Sequence, residues 1–406
     1  PGAKPMLPNK TAVEKTIQIG LMLKCKINEN WEWQRKHYDW PDLPKGYQNT
    51  LSGPHISGMG KNGKFYGINI RSLHLEEDPA SWNPDTGEID YNRSGLPLVE
   101  IITEPDFTTA EEVVSWLKKL LHNLSYLKAA DSNAGIKVDV NVNIPNKTER
   151  VEIKNISSLE NIGKAIEFEL ERQTKFGNNK KETRRFNDAS GKTEVMRSKE
   201  EQDDYRFISD PDLSNLAINN EFISIQQKKI PEAPEEKLNK LISKYKIDKK
   251  NAQILSKNID IVEFFEAVSE KIDAKFALPW ITTELLRVLN YNKMKLDEIN
   301  IDPDHFIALL KLVKEGKITE LQGKQILNRF VPKSFLPSNI ERKIDNSNEI
   351  KKIAQKVISE NKEAVESYKK GETKAFDFLM GKIMKATNRR ADFKVTRDIL
   401  QKILND

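Results

Sequence analysis

The strictest alternation of apolar and polar residues lies near the middle of the first half of the chain. Residues 138–144 read Val-Asp-Val-Asn-Val-Asn-Ile, and after a turn-like Pro-Asn-Lys the alternation returns at 151–153 as Val-Glu-Ile. Such a period of two is typical of half-buried strands. The pattern predicts a hairpin with one apolar face and one face of acids and amides.

A helix is predicted directly after this hairpin. Ser157 and Glu160 fit a capping box at its start. The helix then carries an apolar stripe at Leu159, Ile162, Ile166 and Leu170. That stripe is expected to pack on the apolar face of the sheet. Strand and turn signals continue to about Gln227, so residues 1–228 are predicted to form an α+β domain with a mainly antiparallel sheet.

The hydrophobic period becomes helical beyond Pro231 and Pro234. An all-α helical domain is therefore predicted over residues 229–340. A polar segment at 337–347 resembles a linker, and helical periodicity resumes after it. Residues 341–406 are predicted to form a small helical tail domain.

Composition narrows the class of protein. With 406 residues, 37% hydrophobic and 31% charged, the chain is long enough for two or three globular domains. A single cysteine, Cys25, excludes an internal disulfide framework and a thiolate zinc cluster within this sequence. No apolar run approaches the roughly 18 residues of a membrane span. No secretory signal pattern is present, so a reducing, cytoplasmic compartment without membrane contact is expected.

Positive charge is concentrated near the C-terminus. Residues 351–406 hold 14 Lys and Arg against 8 Asp and Glu, which leaves 52 against 53 for the residues before them. Six cations are expected to face outward: Lys369, Lys370, Lys382, Lys385, Arg389 and Arg390. A basic helical surface of this kind fits nucleic acid, although lysine-rich helices are more often merely solvated.

Acidic residues gather at the predicted end of a strand. Glu76, Glu77 and Asp78 follow the strand-like residues 65–75 and precede Pro79. Carboxylate oxygens at one strand end suit Mg²⁺, which binds through one or two carboxylates and substrate phosphates. The alternative is a solvated acidic turn.

A charge inside an apolar run gives a further candidate. Glu100 lies within residues 96–102, where a carboxylate is costly unless it is paired or bound to a metal. Arg93 is a possible structural partner, and a functional role for Glu100 is equally consistent with the pattern.

Arginines recur among acids between residues 182 and 206. Bidentate guanidinium groups suit phosphates and carboxylates, but ion-pair networks have the same composition. Both interpretations stay open for this set: Arg184, Arg185, Arg197 and Arg206 with Glu182, Glu200, Asp203 and Asp204.

Taken in order, eight segments resemble the B subunit family of tRNA-dependent amidotransferases (GatB). They are RKHYDWPDLPKGYQ (35–48), LHLEED (73–78), DYNRSGLPLVEIITEPDF (90–107), DVNVNI (139–144), RVEIKNISSLENIGKAIEFELERQ (150–173), ETRRF (182–186), MRSKEEQDDYRFISDPDL (196–213) and GKIMKAT (381–387). The resemblance covers nearly the whole chain.

The resemblance implies an α+β cradle, a helical domain and a tail that contacts tRNA. It implies an ATP- and Mg²⁺-dependent ligase that phosphorylates the side-chain carboxylate of Glu-tRNA(Gln), Asp-tRNA(Asn) or both. Ammonia from a glutaminase A subunit then displaces the phosphate, in a heterotrimer completed by a small C subunit.

Site residues are carried over by matching motif positions. Glu77 and Glu152 resemble metal ligands, and Asp139 and Glu182 are expected with them. Lys36 and Lys45 resemble residues near the ammonia path. Other matching positions are expected near the chemistry or the ATP phosphates: Glu76, Glu100, Arg184, Arg197, Glu200 and Arg206.

The match departs from the family at its start. The family opens with a strand carrying Gly-Leu-Glu-Val-His, and this sequence contains no such motif. Either the sequence is a fragment, or this copy lacks part of the metal site. A non-catalytic tRNA-binding scaffold with the same fold therefore stays open beside the enzyme.

Overall fold

The computed structural model describes residues 8–54, 56–83, 86–130, 136–156, 158–198, 205–338, 340–344 and 346–405. The chain divides into two compact units, Pro1–Ala233 and Pro234–Asp406. The first combines sheets with helices, and the described part of the second is helical. The α+β class with a helical C-terminal region is thereby confirmed. The three-domain division at 228 and 340 stays a prediction.

The first unit is built around an antiparallel seven-stranded sheet. Its order is β1-β5-β6-β4-β3-β14, with β9 also paired to β6. The strands are β1 (Lys26–Ile27), β3 (Gln34–His37), β4 (Gln48–Thr50), β5 (Gly60–Phe65), β6 (Ile68–Glu77), β9 (Pro97–Thr103) and β14 (Arg206–Ser209). Two short pairs accompany it: β2 (Asn30–Trp31) with β15 (Leu216–Ala217), and β7 (Ser81–Trp82) with β8 (Ile89–Asp90).

A second sheet has the order β10-β11-β12-β13. Its strands are β10 (Val138–Val142), β11 (Val151–Ile156), β12 (Glu182–Asn187) and β13 (Lys192–Ser198). The predicted hairpin is confirmed, since Val142 lies opposite Val151 in an antiparallel pair. One pair, β11 with β12, is parallel because a helix crosses over between them.

The described residues of the first unit form four helices: α1 (Lys10–Met22), α2 (Ala110–Tyr126), α3 (Leu159–Phe176) and α4 (Asn220–Lys228). The cap of α3 is Ser158, whose side chain accepts from the Asn161 amide. The predicted cap, Ser157, lies outside the described residues. Ile162 and Ile166 are buried in a core that both sheets share, as the apolar stripe predicted.

The second unit contains these helices: α5 (Pro234–Tyr245), α6 (Lys249–Leu255), α7 (Ile259–Ser269), α8 (Ala274–Pro279), α9 (Leu286–Asn292), α10 (Pro303–Lys314), α11 (Glu320–Asn328), α12 (Ser347–Glu360), α13 (Lys362–Lys369), α14 (Thr373–Ala386) and α15 (Phe393–Asn405). One core surrounds Phe265, Phe306 and Phe330. A separate core lies among α12, α14 and α15. Each core is large enough to hold its own group of helices together.

The tail residues contact the helices before them near α11. The Thr319 hydroxyl donates to the Arg389 carbonyl, and the Lys343 amide donates to the Lys317 carbonyl. Within the tail, Arg390 pairs with Glu341 at 3.3 Å. Arg390 is therefore not free to face outward, contrary to the prediction. The other five predicted cations are exposed: Lys369, Lys370, Lys382, Lys385 and Arg389.

Candidate functional site

Strand register gathers polar side chains on one face of the first sheet. Lys36 lies opposite Gln48, and Thr50 lies opposite Glu76. His74 lies opposite Glu100 on β9. Residues directly opposite in antiparallel strands share a face, and so do residues two apart on one strand. We call this set the polar face: Lys36, Gln48, Thr50, His74, Glu76 and Glu100.

Glu76 is held in a buried position on the polar face. Its carboxylate accepts from Thr50 Oγ1 at 2.7 Å, Ser52 Oγ at 2.9 Å and Gln48 Nε2 at 3.2 Å. These donors are neutral, so the negative charge of Glu76 is solvated by the protein but not cancelled. Glu76 therefore adds a fixed negative charge to the face.

Glu100 is the acid of the polar face whose pKa is most affected by its neighbours. Its side chain reaches solvent, yet surrounding protein desolvates the carboxylate, and this effect together with the charges of Glu76 and Asp139 raises its pKa. The charges of His74 and Lys36 act in the opposite direction. This coupling also shows that Asp139, at the start of the second sheet, lies near the polar face.

The predicted partner of Glu100 is engaged elsewhere. Arg93 binds Asp78, with Nε donating at 2.6 Å. Across the strand pair from Glu100, the buried His74 donates from Nδ1 to the Leu51 carbonyl, and its Nε2 is hydrogen-bonded to Ser72 Oγ at 2.9 Å. Within the described part of the chain, Glu100 has no ion-pair partner.

Glu77 lies on the opposite face from Glu76, because adjacent strand residues point to opposite sides. The predicted gathering of three carboxylates at this strand end is therefore wrong. Glu77 pairs with Lys45 at 2.6 Å and also accepts from the Asn49 amide. The structure thus brings the predicted residues Lys45 and Glu77 together, but away from Glu76 and Glu100.

A cluster beside this pair was missed by sequence reasoning. Arg35 binds Asp210 at 3.1 Å and Asp212 at 2.5 Å, and Asn49 donates to Asp210 as well. Burial alone raises the pKa of Asp210, but its hydrogen bonds and the Arg35 charge outweigh burial and lower it. The cluster fixes β14 beside β3. The sequence contained a signal for Arg35, because Arg35 directly precedes Lys36 in the motif at residues 35–48.

Arg184 and Glu182 lie on the helix-facing side of the second sheet. Glu182 lies opposite Val151, and Arg184 lies opposite the buried Ile153. Arg184 Nη1 donates to Glu182 at 2.9 Å, and Arg184 Nε donates to Thr193 at 2.9 Å. Both predicted site residues therefore take part in an internal ion-pair network.

The centre of that network is Glu169 of α3, which sequence reasoning missed. Its side chain is 0% exposed. It accepts from Arg172 Nη2 at 2.6 Å, Gln173 Nε2 at 2.9 Å and Thr193 Oγ1 at 2.9 Å. Burial raises its pKa, but these hydrogen bonds and the Arg172 charge outweigh burial, so the pKa is lowered. We call this set the α3 network: Glu169, Arg172, Gln173, Glu182, Arg184 and Thr193.

The remaining predicted residues are spread over other positions. Glu152 points away from α3, beside Thr183, and Arg197 lies opposite Thr183 on β13. Arg206 is exposed on the edge strand β14. Glu200 lies outside the described residues.

Comparison with known proteins bears on all of these residues. A family model described as the GatB/GatE catalytic domain matches residues 1–224, and one described as the GatB domain matches residues 263–404. The B subunit of the aspartyl/glutamyl-tRNA(Asn/Gln) amidotransferase of Methanocaldococcus jannaschii is 39% identical over 426 residues, covering 100% of this chain and 89% of that protein. The chain belongs to the GatB family.

Two further GatB relatives agree. The corresponding B subunits of Methanopyrus kandleri and Methanothermobacter thermautotrophicus are each 39% identical, covering 100% and 99% of this chain and 90% of each relative. The resemblance seen in the sequence is thereby confirmed, and the chain is a subunit of the tRNA-dependent amidotransferase type. None of the helices in the described ranges has the length and apolar character of a membrane span.

The four acids predicted as GatB metal ligands do not fit a cation as a set. Glu77 is paired with Lys45, Glu182 faces α3, and Glu152 lies on the outer side of the second sheet. Among the described residues, no three His, Cys, Asp or Glu side chains are grouped to hold a metal ion. Asp139 is the member of this set whose charge acts on Glu100.

Proposed function

We propose that this chain activates the side-chain carboxylate of Glu-tRNA(Gln), Asp-tRNA(Asn) or both, and that it does so on the polar face. One observation carries the proposal. Lys36, Glu76 and Glu100 share a face with Asp139 close by, and Lys36 and Glu100 are left without ion-pair partners among the described residues. Charged groups placed together without mutual neutralisation are typical of sites that act on a charged substrate.

The reaction has two steps. An oxygen of the substrate carboxylate attacks the γ-phosphorus of ATP, the bond to the bridging oxygen breaks, and ADP leaves with that electron pair. Ammonia then attacks the acyl carbon, the C–O bond breaks, and phosphate leaves with the carboxylate oxygen. The phosphorylation is needed because an unmodified carboxylate has no good leaving group.

Lys36 and Glu100 have distinct roles in this scheme. The Lys36 ammonium is placed to attract the substrate carboxylate and offset charge on the transferring phosphoryl group. The attacking ammonia must lose a proton, and the raised pKa of Glu100 makes its carboxylate a better proton acceptor than an ordinary glutamate. Glu76 supports Glu100 by keeping that pKa raised.

ATP brings Mg²⁺ with it in this proposal. The cation would offset charge on the phosphates, and Asp139 is the carboxylate proposed to hold it. Lys45 and Glu77 are proposed to act together on incoming ammonia, supported by their 2.6 Å ion pair. Arg206, which is exposed on β14, is proposed to contact phosphates, and Arg197 is proposed for the same role from its match to the family motif.

The reaction class is a carbon–nitrogen ligase with glutamine as the amide-nitrogen donor. Nothing in the polar face resembles a glutaminase nucleophile, so we propose a glutaminase A subunit as the ammonia source and a small C subunit in a heterotrimer. Because the substrate is a charged tRNA, the proposed compartment is cytoplasmic.

The test measures tRNA-dependent ATP cleavage and, with ammonium, amide formation by the assembled complex. Glu100→Gln should lower the rate of amide formation at least 100-fold, as expected for loss of a proton acceptor, while tRNA affinity stays the same. Glu104→Gln is the matched control, because Glu104 follows the same strand and forms only an exposed pair with Arg71. Wild-type rates in Glu100→Gln would contradict the assignment. tRNA binding without any tRNA-dependent ATP cleavage in the wild-type complex would favour the non-catalytic scaffold.

A further inference from the structure

Four aromatic side chains form a continuous row beside the polar face. The ring centroids of Tyr205 and Tyr38 lie 5.9 Å apart, those of Tyr38 and Trp40 lie 6.1 Å apart, and those of Trp40 and Trp82 lie 6.0 Å apart. We call this set the aromatic row. It runs from β14 past the end of β3 to the β7–β8 hairpin.

The row begins at a residue of the proposed reaction site. Lys36 Nζ lies 4.4 Å from the centroid of Tyr205 and 6.0 Å from that of Tyr38. The rings are only partly covered by protein, since Trp40 is 43% exposed and Tyr205 is 38% exposed. In contrast, Trp31 and Trp33 nearby are buried in the core. Exposed aromatic rings beside a cation are the usual platform for unpaired nucleic-acid bases.

The length of the substrate matches the spacing of the row. In an aminoacylated tRNA, nine covalent bonds separate the side-chain carboxyl carbon of glutamate from the glycosidic nitrogen of the terminal base. At about 1.2 Å of advance per bond this is a reach of about 11 Å when extended. Steps of 6.0 and 6.1 Å lead from Lys36 through Tyr38 to Trp40, and they set an upper limit on the distance from Lys36 to Trp40. An extended linkage of this length can therefore place the terminal base at Trp40 when the carboxylate lies at Lys36.

Charge around the middle of the row distinguishes this base from the adenine of ATP. Burial is the main cause of the raised pKa of Tyr38, and the charges of Asp42, Tyr205, Glu76 and Asp78 add to it, so these groups disfavour further negative charge at the middle of the row. Asp78 is offset by Arg93, but Asp42 is buried with Oδ1 lacking a hydrogen-bond partner. Such a field repels a triphosphate. It attracts the α-ammonium group of an aminoacyl ester, which lies between the carboxylate and the base.

We propose that the aromatic row binds the unpaired 3′-terminal base of the aminoacylated tRNA, stacked on Trp40, so that the esterified side chain reaches Lys36. The inference rests on the proposed function for the identity of the substrate. It adds a recognition site for the end of the RNA that lies outside the reacting groups.

A binding cycle tests the proposal without requiring catalysis. The probes are two uncharged tRNA(Gln) transcripts, one complete and one lacking the 3′-terminal nucleotide, titrated against the full chain. Stacking on one aromatic ring accounts for roughly 5- to 150-fold in affinity. Loss of the nucleotide should therefore weaken binding to the wild-type chain about tenfold, but less than twofold in Trp40→Ala, because the two losses remove the same contact.

Two variants control the cycle. Trp40→Phe keeps a ring and should restore most of the dependence on the terminal nucleotide. Tyr291→Ala removes an aromatic ring that is 85% exposed in the second unit and should behave as wild type. Equal loss of affinity in the wild-type chain and Trp40→Ala when the nucleotide is removed would overturn the proposal.

Kinetics of the assembled complex show whether the row binds the 3′-terminal base of the tRNA or the adenine of ATP. Trp40→Ala should raise the KM for Glu-tRNA(Gln) and leave the KM for ATP unchanged. A raised KM for ATP with an unchanged KM for the tRNA would assign the row to ATP and overturn the proposal. If the complex proves inactive while the binding cycle still shows the dependence, the row stands and the proposed reaction fails.

Discussion

Replacing Glu169 with glutamine should destabilise the first unit more than any comparable exposed substitution. Glu169 is fully buried and accepts hydrogen bonds from Arg172, Gln173 and Thr193. Glutamine keeps the shape but removes the charge and one acceptor oxygen. Arg172 and Arg184 would then depend on Glu182 alone for neutralisation.

The expected cost follows from the type of contact. Removing one member of a buried ion pair typically costs about 3–5 kcal/mol. Here the lower limit applies, about 3 kcal/mol, because Glu182 lies 2.9 Å from Arg184 and 3.7 Å from Arg172 and retains part of the pairing. For a unit of this size, that corresponds to roughly 6–12 °C in the unfolding midpoint.

The assay is calorimetry of the full chain with hydrogen exchange over residues 159–198. Glu160→Gln is the control, because Glu160 lies on the same helix and its side chain is 76% exposed in a pair with Lys164. The control should match the wild type. Loss of protection in α3, β12 and β13 should accompany Glu169→Gln alone.

The pH dependence gives an independent check. The pKa of Glu169 is lowered from 4.5, so its stabilising contribution is complete above that pH and is lost as the pH falls through the lower, folded-state value. The difference between wild type and Glu169→Gln should therefore shrink in acid. A difference below about 1 kcal/mol at pH 7, or one that grows in acid, would refute the reasoning.

Three further predictions concern function. Glu77→Gln should abolish amide formation with ammonium by the assembled complex while filter binding shows unchanged tRNA affinity, because Glu77 is proposed to act on incoming ammonia; wild-type amide formation would remove Glu77 from the site. The purified chain alone should not use glutamine but should accept ammonium for amidation, since it has no ammonia source of its own; glutamine-dependent amidation by the chain alone would refute the division of labour. Deleting residues 348–406 should weaken tRNA binding and reduce its salt dependence. The deletion removes five exposed cations that can contact phosphates: Lys369, Lys370, Lys382, Lys385 and Arg389. Each lost phosphate contact reduces the steepness of log K against log salt by about 0.9. Equal affinity at every salt concentration would mean that these cations only aid solubility.

Sequence periodicity predicted the fold of the hairpin and of α3 because burial there follows a simple repeat. Ile162 and Ile166 are in the core where the stripe placed them. The same repeat also contained the signal for the α3 network. Glu169 and Gln173 are three and seven residues after Ile166, on its face of the helix, and a charge at a core position calls for a buried partner.

The roles of the arginines could not be predicted from composition. Arg184 resembles a phosphate ligand in sequence, but its register opposite Ile153 turns it toward α3. That register depends on the parallel pairing of β11 with β12 across a whole helix. Pairing over such a distance is set by tertiary packing and not by the local pattern.

The predicted gathering of carboxylates at the end of β6 is wrong for a local reason. Glu76 and Glu77 are consecutive in β6, and a strand places consecutive side chains on opposite faces. Resemblance to the family named both residues, whereas the alternation of the strand decides which one faces Lys36 and Glu100. The predicted strand ended at residue 75, two residues before the end of β6, so the prediction did not separate the two acids.

The central claim, that a side-chain carboxylate is phosphorylated, is tested most directly by oxygen transfer. Glu-tRNA(Gln) carrying ¹⁸O in both side-chain carboxylate oxygens is amidated by the assembled complex with ATP and ammonium, and the released phosphate is analysed by mass spectrometry. One ¹⁸O is expected in each phosphate released per amide formed, because the leaving phosphate keeps the attacking oxygen. Amide formation with unlabelled phosphate would contradict it.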